Sequence, residues 1–166
     1  VMAVSGGRTP WEMLRALGGE EVPWMAVHVF QADERVAPAG HPDRNLTRLR
    51  ESLLEHATLP AAQIHAMPVE GGDLEDAAER YAQTLRLFAG SPPVLDLAHL
   101  GLGSDGHTAS LVPSDPVLNI NDEDVALTGV YQQRRRMTLT YPILNRSRRI
   151  LWLVTGPEKA NMILRL

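Results

Sequence analysis

The sequence predicts an α/β fold in which a mostly parallel sheet carries helices on both faces. Short apolar runs of strand length alternate with longer segments whose apolar residues recur at helical spacing. Strands that alternate with helices along the chain are typical of a parallel sheet covered on both faces. The chain has 166 residues, of which 44% are hydrophobic, so we expect one domain, residues 1–166, with a sizeable core.

Two strands and two helices are expected in the first part of the chain. Residues 1–4 form an apolar run, and a helix is expected to begin near Thr9 and Pro10, because proline in the first helical turn loses no backbone hydrogen bond. Residues 26–30 predict the second strand. The next helix is expected over residues 43–56, whose leucines recur on one face.

The rest of the chain predicts further strands at residues 64–67, 95–100, 137–141 and 150–155. A helix is expected over residues 74–88, and Pro157 opens a last one. The chain starts inside an apolar run and stops inside a helical one, so we expect additional sequence at both ends. In such a fold the functional site lies at the carboxyl ends of the strands.

Composition and charge exclude several classes of function. The chain has no Cys, which excludes disulfides, thiolate zinc sites and a cysteine nucleophile. The net charge of −4 argues against a general affinity for nucleic acid or an anionic membrane. No apolar run approaches the ~18 residues of a membrane span and no signal peptide is visible, so we expect a cytoplasmic protein. No spacing of His, Asp and Glu is typical of a metal site.

The first strand is followed by a loop that is suited to an anion. It reads Ser5-Gly6-Gly7-Arg8-Thr9. Two glycines let the backbone approach a ligand closely, and the start of a helix offers free N–H groups and a positive dipole end. A phosphate fits this loop, with Arg8 and Thr9 as side-chain donors. The same residues also fit a tight turn in which Thr9 caps the helix.

The loop after residues 95–100 formally matches a dinucleotide-binding pattern. It reads Gly101-Leu-Gly-Ser-Asp-Gly-His-Thr-Ala-Ser110. Dinucleotide binding requires an acidic residue about 20 positions further on, at the end of a strand. Asp122, Glu123 and Asp124 have that spacing but fall in the polar stretch 119–124, so we do not expect a nicotinamide cofactor.

Acid–base chemistry suits the same loop better. The backbone around Gly103, Ser104 and Gly106 could donate N–H groups to a developing oxyanion. His107 closes the loop, and histidine, with an ordinary pKa of about 6.5, is suited to act as a general base near neutral pH. Asp105 could orient the imidazole.

Two further segments carry charge next to strands. Asp33-Glu34-Arg35 follows the second strand, where a carboxylate and a guanidinium could orient a substrate or form a surface ion pair worth less than ~1 kcal/mol. The run Arg134-Arg-Arg136 precedes the strand at 137–141. This run could bind phosphate or could be a solvated surface.

Together these motifs resemble the 6-phosphogluconolactonase family in order and spacing. The resemblance covers residues 5–10, 33–35 and 100–113, and continues through residues 136–140, Asn145, residues 154–156 and Lys159. It implies the Rossmann-like fold shared with glucosamine-6-phosphate deaminases and ribose-5-phosphate isomerases. It also implies hydrolysis of 6-phospho-D-glucono-1,5-lactone to 6-phosphogluconate in the pentose phosphate pathway, without a cofactor or metal. The implied partner is therefore a small sugar phosphate lactone.

The resemblance also implies roles for individual residues. The residue matching His107 is the proposed base, and those matching Asp33 and Arg35 line the site. The chain has Arg44-Asn45 where the family often has Ser-Asn, and we expect Asn45 to contact substrate. Residues 131–135 lack the lysine that many members carry before the arginine matching Arg136. Phosphate binding is therefore expected from Arg134 or Arg135, or from Arg8 with the glycine loop.

A δ-lactone is an activated ester, so its hydrolysis needs a positioned water, one base and an oxyanion site but no covalent nucleophile. We expect His107 to deprotonate the water, and the N–H groups of residues 103–106, with Arg35, to stabilise the oxyanion. Two alternatives stay open: a glucosamine-6-phosphate deaminase or isomerase, and a non-catalytic sugar-phosphate-binding module. Residues 108–113 favour the lactonase over the deaminase, and the presence of Asp33, Arg35 and His107 argues against a simple binding module.

Overall fold

The computed structural model describes residues 1–165, with the exception of the side chain of Arg8. In chain order, the strands are β1 (Met2–Val4), β2 (Val29–Gln31), β3 (Asp33–Arg35), β4 (Ile64–His65), β5 (Leu97–Leu100), β6 (Val125–Leu127), β7 (Arg136–Leu139) and β8 (Ile150–Trp152). The α-helices are α1 (Arg8–Gly18), α2 (Asn45–Leu49), α3 (Leu74–Ala89), α4 (Tyr141–Arg146) and α5 (Ala160–Ile163).

The central sheet of the described residues is parallel and has the strand order β4-β2-β1-β5-β8. The strand β1 lies in the middle, where Ala3 pairs with Phe30 of β2 and with Ala98 of β5. The predicted α/β fold with a mostly parallel sheet is thereby confirmed. All of its strands end at the same edge, so the loops that follow β1, β5 and β8 lie close together.

Helices cover both faces of this sheet. Side chains alternate between the faces of a strand, so Ala3 and Phe30 pack into one core cluster with Tyr81 of α3. Their neighbours Val4 and Val29 pack into a second cluster, which includes residues of α1 and of the segment after α2. Among residues 1–165, no helix combines the length and the hydrophobicity that a membrane crossing requires.

A small antiparallel sheet, with the order β3-β7-β6, lies beside the parallel one. Sequence analysis placed Asp33, Glu34 and Arg35 in a loop, and this was wrong because they form β3 and pair with β7. Charged residues are uncommon in strands, and β7 is about a hundred positions away, so no local signal indicated the pairing. The strand β6 and the helix α4 were not predicted.

Several element boundaries differ from the predicted ones. The strand expected at 26–30 begins at Val29, because Trp24–Ala26 form a 3₁₀ turn. The helix expected over 43–56 is α2 continued by a π-helical turn at Arg50–Leu54. The strand expected at 137–141 ends at Leu139, and the last helix begins with a 3₁₀ turn at Pro157–Lys159.

Candidate active site

A cavity of about 420 Å³ lies at the carboxyl ends of β1, β5 and β8 and is bordered by the small sheet. Many of the residues that sequence analysis selected line it. They are Ser5, Gly6, Gly7, Thr9, Asp33, Arg35, Asn45, Gly103, His107 and Arg136. The remaining selected residues, Arg134, Ser104, Asp105 and Gly106, do not line the cavity, and the side chain of Arg8 lies outside what the structure describes.

His107 is held by the carboxylate of Asp105. Its Nδ1 lies 2.6 Å from Asp105 Oδ1, and its backbone N–H donates to the same oxygen at 3.2 Å. Burial raises the pKa of Asp105, but hydrogen bonds from His107 and Tyr131 outweigh this and lower it to about 2. The carboxylate is therefore ionised at neutral pH. It keeps a proton on Nδ1 and leaves Nε2 as the free, basic nitrogen of the neutral ring.

The glycines of this loop build its shape. The N–H of Gly103 donates to the carbonyl of His107 at 2.7 Å, and that of Gly106 donates to the carbonyl of Gly103 at 3.1 Å. A Cβ on Gly103 would lie 2.2 Å from His107 Nδ1, so any larger residue would displace the imidazole. The structure differs from expectation here, because both amides are used inside the loop and are not free for an oxyanion.

Two guanidinium groups approach the cavity from the small sheet. Arg35 and Arg136 are paired residues of β3 and β7. Burial, and then the nearby Arg35, lowers the pKa of Arg136, but arginine starts so high that it stays charged. The Nε atoms of both side chains are buried without a hydrogen-bond partner in the described part of the chain. Both residues line the cavity, so their positive charges favour an anionic group bound there.

A buried network fixes Arg136 and Asp33. Ser110 Oγ donates to Asp33 Oδ2 at 2.6 Å and accepts from Arg136 Nη1 at 3.4 Å. Asn45 Nδ2 donates to Asp33 Oδ1 at 3.1 Å and to its backbone carbonyl at 2.9 Å. The Asp33 carboxylate is thus engaged by two side chains and balances the charge of Arg136. Ser110 was not predicted as a site residue.

The turn before α1 forms the other end of the site. Gly7 has a φ of 115°, and a Cβ on Gly6 would lie 2.0 Å from Asn45 Oδ1, so both positions require glycine. The interpretation of Thr9 as helix cap was wrong, since Gly7 is the cap and provides no side-chain hydrogen bond. The first turn of α1 contains no acidic residue. Its free N–H groups and dipole favour an anion here.

The loop after β8 brings further residues to this turn. Residues 154–156 and Lys159 belong to the family resemblance but were not predicted as site residues. Thr155 Oγ1 lies 2.8 Å from Thr9 Oγ1, and Gly156, Glu158 and Lys159 line the cavity. The signal was available, because the strand-end rule applies to β8 as it does to β1 and β5. Lys159 is also the only lysine of the chain.

Arg134 and Arg135 are used elsewhere. Arg134 Nε lies 2.9 Å from Asp43 Oδ2, and its Nη2 lies 3.2 Å from His41 Nε2. Arg135 Nη2 lies 3.2 Å from Glu75 Oε1. Both side chains therefore have acidic partners outside the cavity, contrary to the expected phosphate role. Within residues 1–165, no group of three His, Asp or Glu side chains is arranged to hold a metal ion.

Comparisons with known proteins give a consistent result. The family model for glucosamine-6-phosphate isomerases/6-phosphogluconolactonase matches residues 1–166. A 6-phosphogluconolactonase of Synechocystis sp. is 40% identical over 166 residues, which are 98% of this chain and 69% of that protein. One of Mycobacterium tuberculosis is 38% identical over 174 residues, covering 98% of this chain and 70% of that protein.

Solved structures show the same fold. The crystal structure of 6-phosphogluconolactonase from Thermotoga maritima superposes with a TM-score of 0.89 at 32% identity, over 99% of this chain and 73% of that chain. A monomeric glucosamine-6-phosphate deaminase superposes with a TM-score of 0.85 at 19% identity, over 99% of this chain and 74% of that chain. The second likeness concerns the fold alone.

Proposed function

Because the chain belongs to the 6-phosphogluconolactonase family of lactone hydrolases, we propose that it hydrolyses 6-phospho-D-glucono-1,5-lactone to 6-phosphogluconate with His107 as the general base. The observation that carries the proposal is the shared cavity. His107, oriented by Asp105 at 2.6 Å, lines the same 420 Å³ space as the glycine turn before α1. A base and an anion site are thus within reach of one small molecule.

The first step is attack of water on the lactone carbonyl. Nε2 of His107 accepts a proton as the water oxygen bonds to the carbonyl carbon, and the carbonyl oxygen becomes an oxyanion. Asp105 stabilises the resulting imidazolium, because its ionised carboxylate remains on Nδ1. A general base of this kind typically contributes two to four decades of rate.

The oxyanion is stabilised by the guanidinium groups of the small sheet. The amides of Gly103 and Gly106 are engaged in the loop, whereas the positively charged residues Arg35 and Arg136 both line the cavity. A positioned donor at a developing oxyanion contributes roughly 3 kcal/mol. We therefore assign this role to the two arginines in place of the glycine loop.

The second step opens the ring. The bond between the carbonyl carbon and the ring oxygen breaks, and the ring oxygen takes the proton that His107 received from water. The base returns to its neutral form, and the product is the carboxylic acid, which ionises. No cofactor takes part in these two reaction steps.

The phosphate group is anchored at the start of α1. Gly6, Gly7, Thr9 and Lys159 all line the cavity, and Thr9 Oγ1 lies 2.8 Å from Thr155 Oγ1 in the loop that carries Lys159. A net charge of −4 does not attract an anion at long range, so this local cluster has to bind it. Binding energy from the phosphate orients the carbonyl towards His107.

The test is the decay of the lactone above its spontaneous rate. We expect His107→Ala to lower kcat by two to four decades. His56→Ala is the matched control, because His56 is exposed and lies outside the cavity, so its removal should leave kcat unchanged. Near-normal turnover by His107→Ala would reject the proposal. Release of ammonia from glucosamine 6-phosphate by the wild type, without lactone hydrolysis, would favour the deaminase alternative.

A further inference from the structure

A hairpin between β6 and β7 places a tyrosine on the carboxylate that orients His107. Tyr131 Oη donates to Asp105 Oδ2 at 2.9 Å, while His107 Nδ1 is bound to Oδ1. We propose that Tyr131 is a positioning residue for the hydrolysis, acting on His107 through Asp105. This inference rests on the proposed role of His107 as the base.

The two carboxylate oxygens of Asp105 have different partners, His107 at Oδ1 and Tyr131 at Oδ2. A carboxylate bound through Oδ1 alone can rotate about its Cβ–Cγ bond and carry the imidazole with it. Asp105 is also on an exposed loop, with 37% of its side chain accessible, so packing does little to fix it. The hydrogen bond from Tyr131 to Oδ2 fixes the plane of the carboxylate and with it the direction of the His107 ring.

The same bond keeps the carboxylate ionised. The lowering of the pKa of Asp105 to about 2, against the effect of burial, includes the bond from Tyr131 as well as those from His107. In return, burial and the Asp105 carboxylate raise the pKa of Tyr131. The tyrosine therefore remains the donor throughout the neutral pH range.

Tyr131 is itself held in place by the site. The guanidinium carbon of Arg136 lies 4.8 Å from the centre of its ring, which is a favourable cation–π distance. The ring of His107 lies 5.6 Å away with an interplanar angle of 66°, which is an edge-to-face arrangement. One aromatic ring thus contacts both the base and one of the arginines assigned to the oxyanion.

The backbone of the hairpin is strained to achieve this. Tyr131 and Arg134 exchange backbone hydrogen bonds of 3.0 and 3.2 Å, and the two residues between them, Gln132 and Gln133, have φ values of 51° and 66°. Such tight hairpin turns normally use glycine or asparagine. The side chain of Gln132 stabilises the turn, because its Oε1 accepts a hydrogen bond from Arg136 Nη2 at 3.1 Å. Strain of this kind concentrates at functional sites.

The experiment compares Tyr131→Phe with wild type in lactone hydrolysis. Phenylalanine keeps the ring against Arg136 and His107. It removes the 2.9 Å hydrogen bond to Asp105 and, with it, a longer one of 3.4 Å that the hydroxyl accepts from Gln132 Nε2. We expect kcat to fall about tenfold, as for loss of a hydrogen bond to a charged group, with KM changed less than about twofold. Tyr141→Phe is the control, because Tyr141 is 40% exposed at the start of α4 and its hydroxyl is not in the site.

A double variant separates positioning from a general structural role. In an Asp105→Asn background, we expect Tyr131→Phe to lower kcat by less than about twofold, because the partner through which it acts is already altered. A tenfold loss that persists in this background, an unchanged kcat in the single variant, or a rise in KM alone would overturn the proposal.

A spectroscopic measurement covers the case in which Tyr131→Phe does not fold. Ultraviolet titration of tyrosinate in wild type and in Asp105→Asn measures how the Asp105 carboxylate affects the pKa of its hydrogen-bond donor, Tyr131. We expect Asp105→Asn to move one tyrosine titration to lower pH, since the carboxylate raises the pKa of Tyr131. Identical titrations would overturn the proposal. This readout does not depend on turnover, so it stays distinct from a failure of the lactonase assignment itself.

Discussion

Lys159 and His107 line one cavity from the loops that follow β8 and β5. Their proposed tasks differ, because the lysine binds the phosphate before and during the reaction, whereas the histidine acts on the reacting carbonyl. Binding that is equal in the ground state and the transition state changes KM and leaves kcat alone. The two residues can therefore be distinguished by kinetics.

For Lys159→Gln we expect KM for the lactone to rise about tenfold, as for loss of one charged hydrogen bond, with kcat changed less than about threefold. Initial rates over a range of lactone concentrations measure both constants. Arg149→Gln is the control, because it also removes one surface cation but lies outside the cavity. A normal KM in Lys159→Gln would remove this residue from the phosphate site.

Local sequence motifs were enough to select several residues that the structure brings together around the cavity. The loops that contain His107, Asp105 and the Gly6-Gly7 turn each follow an apolar run. The end of a predicted strand and a recognisable motif therefore fall at the same place in the sequence. Ser110 and Tyr131 could not be predicted, because their roles depend on partners 77 and 26 positions away. The sequence also could not indicate that the N–H groups of Gly103 and Gly106 bond within the loop itself.

At the scale of elements, β3 is the unusual feature, because every one of its residues is charged. Glu34 is fully buried and ion-paired with Arg44, whose Nε lies 3.0 Å from Glu34 Oε2. Glu34 also accepts from the backbone N–H groups of Arg35, Asn45 and Leu46, at 2.7 to 2.9 Å. Burial lowers the pKa of Arg44, but Glu70 and Glu34 outweigh this and raise it. The Glu34 carboxylate thus connects β3 to the start of α2 through hydrogen bonds.

We therefore expect Glu34→Gln to destabilise the protein. The substitution breaks a buried ion pair and weakens three backbone hydrogen bonds to the carboxylate, although Glu70 stays 2.8 Å from Arg44 Nη1. We therefore expect the free energy of unfolding to fall by roughly 3 kcal/mol, the lower end of the range for a broken buried pair. Urea denaturation measures this loss. The matched control is Glu75→Gln, whose exposed pair with Arg135 at 3.2 Å should contribute less than ~1 kcal/mol. Equal losses in the two variants would contradict the structural role of Glu34.

The elements that sequence predicted are those with a strong local pattern. The helix expected over 74–88 is α3, and the apolar runs at 1–4 and 95–100 contain β1 and β5. The strands β3 and β6 were missed because their stability comes from pairing with β7. The ion pair between Arg44 and Glu34 was not predicted, because only the tertiary fold buries the two residues together.

At the scale of the whole molecule, the site lies where two sheets meet. The parallel sheet contributes the base and the glycine turn from the ends of β5 and β1, and the antiparallel sheet contributes Asp33, Arg35 and Arg136. Asn45 joins the two parts, because it bonds to Asp33 and packs against Gly6. In the proposed mechanism, phosphate binding and the chemical step are therefore assigned to different residues of one cavity.

That separation is tested most directly by calorimetric titration of 6-phosphogluconate into His107→Asn, alongside its kcat for the lactone. The account predicts that Kd for the product stays within about threefold of the wild-type value while kcat falls by two to four decades. A variant that retains wild-type turnover, or one that loses product binding in proportion to its turnover, would contradict the assignment of His107 to the chemical step.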